Sequence, residues 1–104
     1  MTVEYIRYVI DAGRQEAFVA AYAAAFEPLL SSPYCRGADL ARCVDAPESF
    51  ILRIEWTSAE DHMQRFRASE AFRAFLPHVR PYIGDIQEMR HYERIPLSAQ
   101  AEGA

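Results

Sequence analysis

The chain contains no lysine and no asparagine. Without lysine there is no Schiff-base nucleophile, and no Walker-type loop whose lysine reaches a phosphate. All eleven basic residues are arginines, scattered among fifteen acidic ones, and the net charge is −4. That distribution describes a solvated surface and excludes a nucleic-acid partner, which would need a basic stripe. No apolar run approaches the ~20 residues of a membrane span, so no membrane partner is expected. The segment Met1–Ile10 carries Glu4 and Arg7 and lacks the apolar stretch and small-residue cleavage site of a secretory leader. The expectation is a cytoplasmic protein.

Cysteine is also scarce, with only Cys35 and Cys43. On one extended strand they stand about 26 Å apart at ~3.3 Å per residue. A disulfide needs Cα atoms within ~7 Å, so both are expected as free thiols acting as small buried hydrophobes. The three histidines, His62, His78 and His91, show no metal-ligand spacing. Nothing in the sequence asks for a metal or another cofactor.

What is present suits one domain. The chain has 104 residues, 51% of them hydrophobic and 25% charged, a globular composition able to bury one modest core. Thr2 to Ile10 is rich in Val, Ile and Tyr and reads as a strand. Asp11-Ala12-Gly13 is turn chemistry, with Asp11 placed to cap a helix. Phe18, Ala21, Tyr22, Ala25 and Leu29 repeat at helical spacing within Arg14–Leu30. Pro28 lies near the end of that helix.

Tyr34–Asp45 reads as a second strand. Ser49–Trp56 is the clearest strand: Phe50, Leu52, Ile54 and Trp56 face one way, Ile51, Arg53 and Glu55 the other. Ser58 opens a helix with Asp61 at the capping-box position, and Ala59, His62, Met63 and Phe66 form its stripe. Ser69 caps a further helix carrying Phe72, Phe75, Leu76 and Val79, bent or split by Pro77 and Pro81. Ile83–Ile95 reads as the last strand. The domain spans 1–95, and residues 96–104 read as a fraying tail.

Strand, helix, strand, strand, helices, strand is the α+β, ferredoxin-like split βαβ order. It predicts a four-stranded antiparallel sheet with helices on one face. The first strand is apolar on both sides, with Val3, Tyr5 and Val9 against Ile6, Tyr8 and Ile10. A sheet half exposed to water would alternate more cleanly. Two copies packed sheet to sheet account for this, so a homodimer is predicted.

The run Arg53-Ile54-Glu55-Trp56-Thr57-Ser58-Ala59-Glu60-Asp61-His62, then Ser69-Glu70-Ala71-Phe72 and Arg73-Ala74-Phe75, resembles the antibiotic biosynthesis monooxygenase superfamily. Its pattern is a strand ending in Trp, a Ser or Thr cap, a helix, and a Ser-x-x-Phe turn into the next helix. The closing Glu88-Met89-Arg90-His91-Tyr92-Glu93 resembles a subgroup of the same proteins. The resemblance covers about residues 2 to 95. It implies a dimeric α+β barrel with a pocket between each sheet and its helices. It also implies oxidation of quinols or anthrones by dioxygen without a cofactor, or oxidative haem degradation. The haem-degrading branch carries an Asn on the first strand and a His where this chain has Leu76, so the resemblance points away from haem.

Cofactor-free chemistry needs an apolar slot for a flat ring and a polar group that stabilises the substrate oxyanion. Trp56 matches the family's Trp, although a strand-end tryptophan is more often plain core. His62, on an apolar stripe, is the general-base candidate; most such histidines are simply satisfied core residues. Tyr5, Tyr8, Phe66 and Phe72 are the candidate walls of a pocket for a small aromatic ligand. His91 and Arg90 point to opposite faces of the last strand; one of them is placed to reach a pocket or the dimer seam, although solvated or interface roles are commoner. Arg53 and Glu55 are placed to pair across a dimer seam or with Arg7. Two function classes stay open: a cofactor-independent monooxygenase, and a non-catalytic binding or accessory protein on the same scaffold.

Overall fold

Alternation along Thr2–Val9 makes that segment a strand, β1, and its Glu4, Ile6 and Tyr8 are buried on one face. A computed structural model describes residues 1–103. Helix α1 (Gln15–Leu30) follows a short 3₁₀ turn at Ala12–Arg14. Asp11 does not cap it. Its carboxylate instead holds Arg14 at 3.0 Å, leaving the helix start without a side-chain cap. Phe18, Tyr22, Ala25 and Leu29 form the buried stripe of α1, and the helix continues through Pro28.

Strand β2 is Cys35–Arg42, shorter than Tyr34–Asp45, because bends and turns fill residues 44–48. Strand β3 is Ser49–Trp56, as read from its alternation. Both cysteines are free; Cys35 is buried, whereas Cys43 lies just past the strand and is only half-buried. Ser58 accepts the Asp61 N–H at 2.9 Å and starts the next helical segment. That segment winds as a π-helix over Asp61–Phe66, closed by a bond from the Arg67 N–H to the His62 carbonyl.

The Ser69 hydroxyl accepts the Phe72 N–H and caps α2 (Glu70–Val79), which runs through Pro77. Pro81 lies in the first turn of a 3₁₀ segment, Arg80–Asp85, so β4 begins at Ile86 rather than Ile83 and ends at Glu93. Beyond it residues 96–103 form no helix or strand. Ala104, the last residue of the expected tail, lies outside the described residues.

The four strands lie in the order β2-β3-β1-β4, every pair antiparallel, with the helices on one face: the ferredoxin-like α+β arrangement. Phe18 is fully buried and meets Tyr8, Tyr22, Phe50 and Tyr82 at centroid distances of 4.8 to 5.3 Å. Such pairs each add about 0.5–1.5 kcal/mol to the area they bury. No helix among the described residues is long and apolar enough to cross a membrane.

On the opposite face Val3, Tyr5, Arg7 and Val9 of β1 lie between Ile51, Arg53 and Glu55 of β3 and Glu88, Arg90 and Tyr92 of β4. Arg53 reaches Glu55 at 3.3 Å and Asp39 at 3.5 Å, and Arg94 reaches Glu55 at 3.3 Å, so these charges pair within the chain rather than with Arg7.

Candidate functional site

Strand β1 is central, so its inward residues meet both neighbours. Glu4 pairs with Ile54 on one side and His91 on the other, and is 1% exposed. The Trp56 indole N–H donates to Glu4 Oε1 at 3.0 Å. The His62 ring stacks on Trp56, with centroids 4.3 Å apart and planes 12° from parallel. The wide π-winding turns His62 and Phe66 inward, four residues apart, while Met63, expected on the same stripe, is 44% exposed. His62 Nδ1 and His91 Nε2 share a hydrogen bond at 2.7 Å, one ring donating to the other. Glu4 Oε2 is buried with no hydrogen-bond partner among the described residues.

Burial raises the Glu4 carboxyl above its ordinary range, against the opposing pull of the Trp56 N–H and of Arg67. Burial pushes His62 down to about 3, with Arg67 and His91 adding to the effect, and depresses His91 as well. Both histidines are therefore neutral near pH 7, and the 3.8 Å approach of His62 Nδ1 to Glu4 Oε1 is not an ion pair.

Glu4, Trp56 and His62 form one wall of a cavity of about 280 Å³ between the sheet and α2, with His91 behind them. The rest of its lining is mostly apolar, with Tyr8, Phe66, Phe72, Phe75 and Leu76 among the walls. Arg67, Ile83 and Met89 line it too and are exposed, so the cavity meets solvent on their side. At its inner end the hydroxyls of Tyr8 and Tyr22 are hydrogen-bonded to each other. Burial pushes Tyr8 up to about 12 and drives Tyr22 upward as well, so both phenols stay protonated.

Of the residues singled out from the sequence, Trp56, His62, Tyr8, Phe66 and Phe72 are brought together around this cavity. Tyr5 is not. The two-residue period puts it on the outer face, where its ring meets Tyr92 edge-on at 5.5 Å. Of His91 and Arg90, one of which was placed to reach a pocket or the dimer seam, His91 reaches the buried cluster, while His78 is exposed. Glu4 was passed over, although the same period that placed Ile6 and Tyr8 inward places Glu4 beside them. Nothing in the sequence marked Arg67.

The family model for antibiotic biosynthesis monooxygenases matches residues 1–77. The chain belongs to that family. The match takes in Glu4, Trp56, His62 and Arg67 and stops short of His91.

Solved structures share the fold. One, from Bordetella bronchiseptica and described as a candidate antibiotic biosynthesis monooxygenase, superposes with a TM-score of 0.74 at 24% identity, over 90% of this chain and 96% of its own. A similarly described protein from Nitrosomonas europaea gives 0.70 at 17% identity, over 91% and 99%. SnoaB of Streptomyces nogalater, a cofactor-independent oxygenase, gives 0.70 at 19% identity, over 99% and 97%. No curated protein matches the chain.

Proposed function

We propose that this member of the family is a cofactor-independent monooxygenase acting on a quinol of one or two rings. The observation that carries the reading is the mostly apolar cavity of about 280 Å³, with Trp56, His62 and the partnerless Oε2 of Glu4 in its wall. A dry cavity of about 150 Å³ holds benzene. Roughly twice that volume suits one or two rings and is tight for the three fused rings of an anthrone.

The chemistry balances without a reductant. One quinol and one dioxygen give one hydroxyquinone and one water. One oxygen atom enters the ring, the other leaves as water, and the substrate supplies all the electrons. The protein has to take the first proton and hold the resulting oxyanion. Glu4 Oε2 offers an acceptor to the quinol hydroxyl. The His62–His91 pair offers a relay toward the largely exposed edge strand β4, on which His91 is half-buried. Arg67 supplies positive charge at the solvent side of the cavity. The fold similarity to SnoaB supports the oxygen chemistry, and the outer sheet face supports a homodimer as in the α+β barrel.

The test is oxygen uptake with a series of hydroquinones. The wild-type chain is expected to consume one dioxygen per quinol, and His62→Ala to lose turnover while its circular dichroism is unchanged. Equal turnover in His62→Ala would remove His62 from the mechanism. No uptake with any quinol would favour a non-catalytic binding role for the same cavity.

A further inference from the structure

We propose that Glu4, His62 and His91 bind one divalent first-row transition-metal ion beside the cavity that Glu4 and His62 line. This goes beyond the oxygenase reading, which needs no ion and uses Glu4 and the His62–His91 pair metal-free, so a bound ion would compete with that role. Each residue comes from a different element, and each presents one ligand atom. The three atoms all lie within 4.8 Å of one another. Two imidazoles and a carboxylate suit Zn²⁺ or Fe²⁺, whereas Mg²⁺ and Ca²⁺ prefer all-oxygen sets.

A second observation is independent of that proximity. Glu4 Oε2, on a residue 1% exposed, has no hydrogen-bond partner among the described residues. A buried carboxylate oxygen left unpaired is costly, and a bound cation is one of the few things that satisfies it. The surroundings already act as an outer sphere. The Trp56 N–H fixes the carboxylate through its other oxygen, and the Trp56 ring fixes the plane of His62.

The carboxylate must close on His62, whose Nδ1 stands 3.8 Å from Glu4 Oε1, and the histidines must separate. His62 Nδ1 and His91 Nε2 stand 2.7 Å apart, joined by a hydrogen bond. Nitrogens bound at about 2.0–2.1 Å around a tetrahedral ion stand about 3.3 Å apart. The rings must part by about half an ångström. His91 is the ligand free to give, being half-buried on the edge strand. Arg67 opposes a cation there, and an ionised Glu4 offsets it. Three protein donors are one short of a closed four-ligand site, which leaves a position for water or another ligand.

The experiment uses the full chain, freed of any affinity tag and of metal by a chelator. Zn²⁺ binding is measured by calorimetry, and Co²⁺ by its visible ligand-field bands. One ion per protomer is expected at micromolar affinity or tighter, with the bands of a nitrogen- and oxygen-ligated ion. His91→Ala should weaken binding at least tenfold, and His78→Ala should leave it unchanged. Glu4→Gln should also weaken it; if that variant misfolds, the half-buried His91 still decides the matter. Less than half an ion per protomer, or equal binding by wild type and His91→Ala, overturns the site. Oxygen uptake by the metal-free protein tests the oxygenase reading separately.

Discussion

Trp56 and His62, six residues apart, lie ring on ring with centroids 4.3 Å apart and planes tilted by 12°. The strand end holds one and the π-wound segment the other, so the stack couples the sheet to the helical layer. It also places the Trp56 N–H on Glu4 and the His62 nitrogen on His91, tying four chain segments together.

Trp56→Phe keeps most of the stack and removes the N–H. Glu4, fully buried, then loses its one donor. The expected loss is about 1–3 kcal/mol, read as a lower urea midpoint with an unchanged slope. A loss within error of zero would mean that Glu4 is satisfied in some other way.

Tyr8 and Tyr22 are each 1% exposed and bonded to each other. Either Tyr8→Phe or Tyr22→Phe strands one buried hydroxyl and should cost about 1–3 kcal/mol. The double variant strands none and should be more stable than the sum of the single losses predicts. Strict additivity in the cycle would show that the two hydroxyls do not depend on each other.

Arg14 donates to both oxygens of Asp85, at 3.1 and 2.6 Å, joining the start of α1 to the segment before β4. That bond holds the Asp85 carboxyl below its ordinary range. A depressed folded pKa gives stability that is complete above the unfolded value and lost as the pH falls through the folded one. Asp85→Asn should therefore melt lower than wild type at neutral pH. The gap should narrow through the ordinary carboxylate range and vanish below it. Arg14 is half-exposed, so salt should shrink the effect. A gap independent of pH would show that the charge of Asp85 plays no part.

The outer sheet face carries exposed Val9, Ile51 and Tyr92 among charges already paired within the chain. If a second copy covers it, sedimentation at micromolar concentration should give twice the chain mass of 11.9 kDa. Val9→Glu with Ile51→Glu should return the single mass. A wild-type chain sedimenting at 11.9 kDa would remove the dimer.

Much of the fold was legible because local rules agree with it. The alternation in Ser49–Trp56 sets the buried face of β3, and that face stays buried in the structure. Ser58 and Ser69 begin helical segments where short hydroxyl side chains can accept early N–H groups. The run from Arg53 to Phe75 carries the family resemblance, and the family match includes it. Boundaries were less legible. Pro81 favours a 3₁₀ segment over a strand start, which moved β4 three residues along.

The amino-acid order alone determined the element sequence, the inward face of β3, and the gathering of aromatic side chains near Trp56. Only the tertiary structure decided what the polar residues do there. Strand register across β1 and β4 puts His91 opposite Glu4, and no local pattern encodes pairing between positions so far apart. The five-residue bond from Arg67 to His62 rotates His62 inward and Met63 outward. An α-helical period predicts both inward, because it assumes a narrower turn. The cluster of Glu4, His62 and His91 exists because register and winding act together, and each is settled by packing rather than by the identity of any one residue.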